Sequence, residues 1–249
     1  MFLLIALLPV AVLLLFIYFL DKYKPEPWPE LLKAFGAGVI SAFIVLTIVL
    51  ALNIQFSSNT SGAILDAFVN AAIPEELAKI LMLWLVIRSN KYYDEYFDGI
   101  VYAVCVGMGF AGLENILYLF GEEDMMAVGM ARGLISVPAH FLFAVAMGYY
   151  YSIVHFSKTI TPNLMLFYKG CVVGVPILMH GFFDAFLMVA SQKAEEMNYA
   201  VAGACILAFI AVCVFMVVFA FRKCKRMLAA DKQYFDKLAK QQFEQYWNV

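Results

Sequence analysis

Long apolar stretches follow one another along the whole chain and are separated by short polar segments. Most of them reach about 18 residues or more, which is the length that an α-helix needs to cross the hydrocarbon core of a bilayer. The pattern therefore predicts an all-α polytopic membrane protein with about seven spans. The predicted spans are residues 2–20, 31–53, 64–88, 97–120, 126–156, 167–190 and 198–221.

Basic residues are distributed unevenly among the predicted loops. Lysine and arginine follow spans 1, 3, 5 and 7, whereas the intervening loops contain only Lys193. Because cytoplasmic loops of membrane proteins are enriched in Lys and Arg, this asymmetry predicts an amino terminus outside the cell and a carboxyl terminus in the cytoplasm.

The chain divides into one transmembrane domain, residues 1–221, and a tail, residues 222–249. The tail mixes basic residues with apolar ones such as Leu228 and Phe235, which predicts an amphipathic helix on the anionic inner leaflet or, alternatively, a solvated helix. The composition is 64% hydrophobic and 14% charged, and the basic residues form no stripe. We therefore expect membrane lipid as a partner and no nucleic acid.

Ionisable and amide side chains interrupt four of the predicted spans. An ionised group in hydrocarbon is costly unless it is paired or reaches water, so such groups indicate a functional site. Each span contains pairs spaced three or four residues apart, such as Glu75 with Lys79 and His180 with Asp184, which places the members of each pair on one helix face. The interrupting side chains are Glu75, Glu76 and Lys79 on span 3; Glu114, Asn115 and Tyr118 on span 4; Arg132, Ser136 and His140 on span 5; and His180 and Asp184 on span 6.

Prolines accompany three of these groups, at Pro74, Pro138 and Pro176. A proline inside a helix removes one backbone hydrogen bond, which a membrane tolerates where neighbouring groups or water satisfy the freed carbonyl. The pattern predicts helices kinked around a water-accessible cavity. Alternatively, span 3 restarts at Pro74, which would put Glu75 and Glu76 in a first helical turn.

The polar groups provide the chemistry for hydrolysis by an activated water. A carboxylate with a nearby histidine can deprotonate water, and a second histidine or an amide can stabilise the resulting oxyanion. The sequence contains neither a GxSxG nor an HExxH pattern, so serine-nucleophile and zincin mechanisms are not favoured.

Four of these motifs, taken in order, resemble those of the PrsW family of bacterial membrane proteases, which is related to the CAAX-processing and Abi proteins. The motifs are Glu75-Glu76-x-x-Lys79, Glu114-Asn115-x-x-Tyr118, Ser136-Val137-Pro138-Ala139-His140 and His180-x-x-x-Asp184. The resemblance implies a glutamate-dependent peptidase in the bacterial plasma membrane, with its catalytic core at about residues 64–190. It also implies a single-span substrate of the anti-sigma-factor type that receives its first, site-1, cut.

The resemblance further implies roles for the individual residues. Glu75 would be the general base, His140 would help to hold the water, Glu76 and Lys79 would set the local charge, and His180 would bind the oxyanion. Asp184 stands where the related CAAX-processing pattern has Asn, so it would orient His180 instead. The supporting residues are Lys79, Glu114, Asn115, Tyr118, Arg132 and Asp184.

Two alternatives remain open from the residues alone. One is a zinc-dependent membrane metallopeptidase in which Glu114, His140 and His180 bind the metal; the main hypothesis needs no cofactor. The other is a proton- or ion-coupled transporter, because chains of Glu, His and Lys in membrane spans also form proton relays.

Overall fold

The computed structural model describes residues 2–120, 124–157 and 159–247. These residues form helices and connecting loops and contain no strand. Lys158, one of the lysines behind the predicted orientation, and residues 248–249 of the predicted tail lie outside the described ranges. The helices are α1 (Phe2–Leu20), α2 (Trp28–Leu52), α3 (Thr60–Asp66), α4 (Ile73–Ile87), α5 (Asp98–Phe120), α6 (Met125–Leu134), α7 (Ser136–Phe156), α8 (Pro162–Glu195) and α9 (Tyr199–Trp247).

Six helical segments in the described part of the chain are long and apolar enough to cross a membrane. They are Leu3–Leu20, Trp28–Leu52, Asp98–Phe120, Met125–Phe156, Pro162–Glu195 and Tyr199–Gln242. The third predicted span, 64–88, corresponds to α3, a π-helical turn at Ala67–Ala72 and α4, and this run contains Glu75, Glu76 and Lys79. The prediction of an all-α polytopic membrane protein is confirmed.

Helix α5 is the centre of the bundle. Every residue from Asp98 to Gly112 is buried, and α5 packs against α1, α2, α4, α6 and α7. Glycines allow α2 and α5 to touch: a Cβ at Gly38 would lie 2.0 Å from the carbonyl oxygen of Val106, and one at Gly109 would lie 2.0 Å from that of Phe35. Small residues at such contacts let membrane helices pack backbone to backbone.

Two of the three prolines coincide with irregular helix geometry. The π-helical turn at Ala67–Ala72 directly precedes α4, whose first turn contains Pro74. The break between α6 and α7 lies at Ile135, three residues before Pro138. Pro176, in contrast, lies inside the continuous helix α8. The prolines therefore adjust the backbone at α4 and α7, the helices that carry Glu75, Glu76 and His140.

The start of α4 matches neither a simple kink nor a free helix terminus. Glu75 and Glu76 do lie in its first turn, but the preceding Ala72 has helical dihedral angles and the chain enters α4 from the π-helical turn. The first-turn N–H groups of α4 therefore follow a helical turn and do not form a free helix terminus. Neighbouring side chains pair with the negative charges of Glu75 and Glu76 instead.

The predicted tail continues the last span as one helix, because α9 runs without a break to Trp247. The Asp231 carboxylate accepts hydrogen bonds from the backbone N–H groups of Tyr96 and Phe97, at 2.8 and 2.9 Å. Phe235 stacks on Tyr23 with ring centroids 5.7 Å apart. These contacts attach the extension of α9 to the loops that precede α2 and α5.

Candidate active site

Lys79 is the hub of a buried cluster at the start of α4. Its ammonium donates to Glu76 Oε1 at 2.8 Å and to Glu75 Oε2 at 3.3 Å, both one helical turn earlier on the same face. It also lies 3.1 Å from Nδ1 of His140 on α7 and 3.9 Å from the ring centroid of Phe110 on α5. One cation therefore joins two carboxylates, an imidazole and an aromatic face.

His180, on α8, lies between two carboxylates. Its Nδ1 is 3.0 Å from Glu76 Oε1 and 3.9 Å from Glu75 Oε2, and its Nε2 is 3.1 Å from Asp184 Oδ2, one turn later on the same helix. Since a carboxylate accepts and does not donate, both ring nitrogens are placed to donate, which is the arrangement of an imidazolium. Asp184 Oδ2 therefore lies where it can accept a hydrogen bond from His180 Nε2.

His140 is held in the same way by Glu114. Its Nε2 lies 3.0 Å from Glu114 Oε2, while its Nδ1 faces the Lys79 ammonium. These partners favour the neutral tautomer with the hydrogen on Nε2, because an ammonium can only donate to Nδ1. Glu114 also forms an ion pair with Arg132 at 2.8 Å. His140 and Glu114 therefore connect Lys79 to Arg132.

Asn115 and Tyr118 contact Arg132. The Asn115 side chain donates to the carbonyl oxygen of Ala6 on α1 at 2.9 Å and accepts from Arg132 Nε at 3.3 Å. The Arg132 guanidinium lies 3.7 Å from the ring centroid of Tyr118. Both residues were predicted as supporting, and both contact Arg132. Among the described residues, neither forms a hydrogen bond or ion pair with Glu75, Glu76 or Lys79.

The site pairs most of its charges within the membrane bundle. Three cations, Lys79, Arg132 and the imidazolium of His180, face four carboxylates. These carboxylates are Glu75, Glu76, Glu114 and Asp184. Such pairing makes buried ions tolerable in a low-dielectric interior.

Two aromatic residues that we did not predict complete the walls. Phe143 stacks on the ring of His180, with centroids 4.7 Å apart and an interplanar angle of 17°. Phe110 lies beneath Lys79 and 5.6 Å from the His140 ring. The available signal was helical spacing: Phe143 follows His140 by three residues, and Phe110 precedes Glu114 by four.

Glu75 and Glu76 differ in access. The Glu76 side chain is fully buried, and its Oε2 has no hydrogen-bond partner among the described residues. Glu75 retains 10% exposure and borders a cavity of about 400 Å³ between α2, the π-helical turn and α5. Glu114 borders the same cavity. Of the Glu75–Glu76 pair, Glu75 is the carboxylate that an incoming molecule can reach.

The donor set also suits a transition metal. One donor atom from each of Glu75, Glu76, His140 and His180 lies within 4.8 Å of the others. Carboxylates and imidazoles are typical zinc ligands, and each imidazole is oriented by an outer carboxylate, as in known metal sites. This group differs from the predicted trio, because it contains Glu75 and Glu76 in place of Glu114. Lys79 touches three of its members and would compete with the metal.

Fold and site together define a class of protein: a polytopic helical membrane protein with a buried cluster of glutamates, histidines and a lysine inside the bundle. Comparison with known sequences specifies the class. The family model described as PrsW family intramembrane metalloprotease matches residues 26–221. Accordingly, the chain belongs to the PrsW family of intramembrane proteases, as the motif resemblance implied.

Curated relatives agree with the family model. The chain is 37% identical to Protease PrsW of Clostridioides difficile (strain 630) over 197 residues, which are 77% of this chain and 81% of the relative. It is 33% identical to Protease PrsW of Bacillus subtilis (strain 168) over 190 residues, or 74% of this chain and 81% of the relative. No solved structure matches the chain. The protein is a multi-pass bacterial membrane protease whose substrates are membrane proteins.

Proposed function

We propose that this protease makes the first, site-1, cut in a membrane-anchored anti-sigma factor and that Glu75 activates the attacking water. Membership of the PrsW family supports the activity, and the substrate class is what the resemblance to that family implies. With the predicted orientation, the amino terminus lies outside and the cut falls on the extracytoplasmic side of a single-span substrate. Proteolysis of this kind would release a sigma factor, so the protein would act in a stress response.

The observation that carries the mechanism is the difference in access between Glu75 and Glu76. Glu75 borders the cavity, whereas Glu76 is enclosed by Lys79 and His180. A general base must reach the water that it deprotonates, so the geometry favours Glu75 as the base. Glu76 then has a positioning role, because its Oε1 contacts both Lys79 and His180.

In the proposed reaction, Glu75 takes a proton from water while the water oxygen attacks the carbonyl carbon of the scissile peptide bond. Glu75 then passes this proton to the leaving amine as the C–N bond breaks, so the carboxylate is regenerated. His140, placed by Glu114 and Lys79, holds the water. No covalent enzyme intermediate is required.

The oxyanion that forms during attack needs positive charge nearby. His180 provides it as an imidazolium, held by Glu76 and Asp184 and stacked on Phe143. Both ring nitrogens already face carboxylates, so we assign His180 an electrostatic contribution, with direct donation after a carboxylate contact is exchanged for the oxyanion. Lys79 adds a second positive charge at the same place.

The experiment that tests this function compares membrane-anchored proteins in cells that carry different versions of the chain. The new protein ends generated by cleavage are identified by mass spectrometry. With the intact chain, a shortened single-span regulator of the anti-sigma-factor type should accumulate under envelope stress. With Glu75→Gln at equal abundance, the same regulator should stay full length.

Glu195→Gln is the matched control, since Glu195 is an exposed residue at the end of α8 and should leave cleavage intact. Shortening of only unrelated membrane proteins would overturn the substrate class and leave the protease assignment standing. Equal shortening with Glu75→Gln would overturn the proposed role of Glu75.

A second mechanism, zinc-assisted hydrolysis, is favoured by one observation: the four donor groups of Glu75, Glu76, His140 and His180 converge. In that case these residues would hold the ion, which supplies Lewis-acid polarisation and a more acidic water. The Lys79 ammonium would then have to leave the group or lose its proton. Of the alternatives, the family description favours this one over a transporter.

Metal analysis of the purified protein separates the two mechanisms. The glutamate mechanism predicts less than stoichiometric metal and activity that survives prolonged dialysis against a chelator. One bound zinc per chain, with activity lost to the chelator and restored by zinc, would establish the metal mechanism instead. The variant His180→Ala should lower zinc content only under the second mechanism.

A further inference from the structure

The cavity beside Glu75 has a largely apolar wall. It measures about 400 Å³ and lies between α2, the π-helical turn and α5. The apolar residues that line it are Ala42, Val45, Leu46, Val49, Ala71, Phe110 and Leu117. Its polar residues are Asn70, Glu75, Glu114 and Tyr118, so carboxylates of the site border an otherwise apolar space.

Two apolar residues that line the cavity are also exposed on the outer surface of the bundle. Leu46 on α2 is 40% exposed and Leu117 on α5 is 41% exposed, although both line the cavity. A membrane-anchored substrate can therefore approach Glu75 laterally, between α2 and α5. Glu76, His140 and His180 do not line this cavity, so a molecule that enters by this path meets Glu75 and Glu114 first.

The backbone conformation of the substrate determines how it can reach Glu75. In an α-helix the peptide groups are held in intrahelical hydrogen bonds and enclosed by side chains, so the bond that is cut must lie in an unwound, extended segment. In an extended segment, alternate side chains point to opposite sides, so a single side chain can enter while the neighbouring peptide bond stays at Glu75.

We propose that this cavity is the binding pocket for one large apolar side chain of the substrate, next to the bond that is cut, and that Leu46 and Ala71 set its size. The inference rests on the proposed role of Glu75 in the reaction. Leu46 forms part of the α2 wall and Ala71 lies in the π-helical turn opposite. An apolar occupant is favoured because most of the lining is apolar, and burial of such a side chain is favourable.

Two substitutions should change the preference of the pocket in opposite directions. Ala71→Leu narrows the space, so it should disfavour Leu and Phe beside the cut relative to Ala. Leu46→Ala enlarges the space, so it should favour Phe over Leu. Since one methylene in an apolar pocket changes discrimination by about 10- to 200-fold, each variant should shift the relevant cleavage ratio about tenfold or more.

The experiment uses purified full-length protein in detergent and a pool of synthetic single-span peptides with randomised residues near one end of the span. Cleavage sites and rates are read by mass spectrometry. Ala51→Leu and Leu50→Ala, both at exposed positions of α2 outside the cavity lining, are the matched controls and should leave the preference unchanged. Glu75→Gln gives the background.

The outcomes separate this inference from the function on which it rests. If the intact protein cleaves no peptide faster than Glu75→Gln does, the proposed role of Glu75 fails. If it cleaves peptides but the two pocket variants keep the intact preference, the pocket assignment is overturned and the function stands. If Ala71→Leu does not fold, the opposite shift expected from Leu46→Ala still decides the question.

Discussion

Both histidines of the site follow one rule at the level of single atoms. Each directs Nδ1 towards the Glu75–Lys79 turn of α4 and Nε2 towards a carboxylate, Glu114 for His140 and Asp184 for His180. The outer carboxylates fix the ring orientations before substrate arrives. Such preorganisation is what makes charged groups effective in catalysis, because they need not reorient during the reaction.

Lys79 holds the site together, so its removal should be destabilising. Lys79→Met leaves Glu75 and Glu76 without their shared cation in a buried setting. Loss of one partner from a buried ion pair typically costs about 3–5 kcal/mol, and we expect a loss of that order in the free energy of unfolding. The measurement is reversible unfolding in detergent, followed by circular dichroism.

Lys193→Met is the control for this change, because the Lys193–Glu196 pair is at an exposed helix end and should contribute at most about 1 kcal/mol. Combining Lys79→Met with Glu76→Gln should recover part of the stability by removing the stranded charge. A Lys79→Met protein as stable as the Lys193→Met protein would contradict the central structural role of Lys79.

The sequence identified the residues of this site but not their atomic pairing. Glu, His and Lys within apolar spans are conspicuous because burial of such groups requires a reason. Glu114, however, was predicted both as a supporting residue and as a possible zinc ligand, and its contacts with Arg132 and His140 depend on how α5, α6 and α7 rotate about their axes. Helical spacing within one segment does not contain that information.

At the level of elements, the contact between α2 and α5 shapes the active-site side of the bundle. Backbone approaches at Gly38 and Gly109 bring the two helices together, and residues of both helices line the cavity beside Glu75. The π-helical turn forms the opposite wall. Such turns are frequent at functional sites, and here one precedes the helix that carries Glu75 and Glu76.

Gly109→Ala should disturb this contact. The added methyl group would meet the Phe35 backbone at 2.0 Å, which α2 can relieve only by moving away. We expect a lower unfolding temperature and reduced peptidase activity, both measured on purified protein. Gly36→Ala is the matched control, because a Cβ added at this position would have no other atom within 4 Å. Alanine is also a better helix former than glycine. Equal behaviour of the two variants would contradict the close packing.

The spans were predictable from apolar length, but three features of the elements were not. The π-helical turn at Ala67–Ala72 depends on local hydrogen-bond geometry around Pro74, which composition does not specify. The break at Ile135 lies three residues before Pro138, in agreement with a proline effect, yet Pro176 causes no break in α8. The tail was predicted to be helical, but its contacts with the rest of the bundle, such as that of Asp231 with Tyr96, join residues remote in sequence and could not be predicted.

At the scale of the whole molecule, a second set of buried carboxylates lies around the start of α5, whereas Glu114 lies near the other end of that helix. They come from the α1–α2 loop, the loop before α5, the start of α5 and the extension of α9. The buried members are Asp21, Glu26, Glu95, Asp98 and Asp231. Lys24 forms an exposed ion pair with Asp94 nearby, so little positive charge balances the set.

Three carboxyl groups in these loops titrate well above their usual range. Burial, reinforced by the carboxylates of Asp231 and Asp21, raises the pKa of Glu95 to about 8. Burial likewise raises the pKa of Glu26 to about 7 and that of Asp21 to about 6. The folded protein thus binds more protons than the unfolded chain between the usual carboxyl pKa values and these raised ones.

Stability should therefore depend on pH in a defined direction. The contribution of these groups is fully present below the usual carboxyl pKa, near 4, and is lost as the pH rises through 6, 7 and 8. We expect the unfolding temperature in detergent to fall from about pH 4 to pH 8 and to level off above pH 8. The unfolding temperature of the Glu95→Gln variant should fall less steeply with pH. That of the exposed-site variant Glu195→Gln should change as it does in the intact protein. Parallel curves for Glu95→Gln and the intact protein would refute the assignment.

The most direct test of the central claim is the turnover number of Glu75→Gln on purified protein with a cleavable single-span peptide. If Glu75 is the general base, kcat should fall by about 10²- to 10⁴-fold, while peptide binding and the unfolding temperature stay close to those of the intact protein. Glu195→Gln should keep the intact kcat. An unchanged kcat in a folded Glu75→Gln protein would contradict the account, because the carboxylate that borders the substrate cavity would then not activate the water.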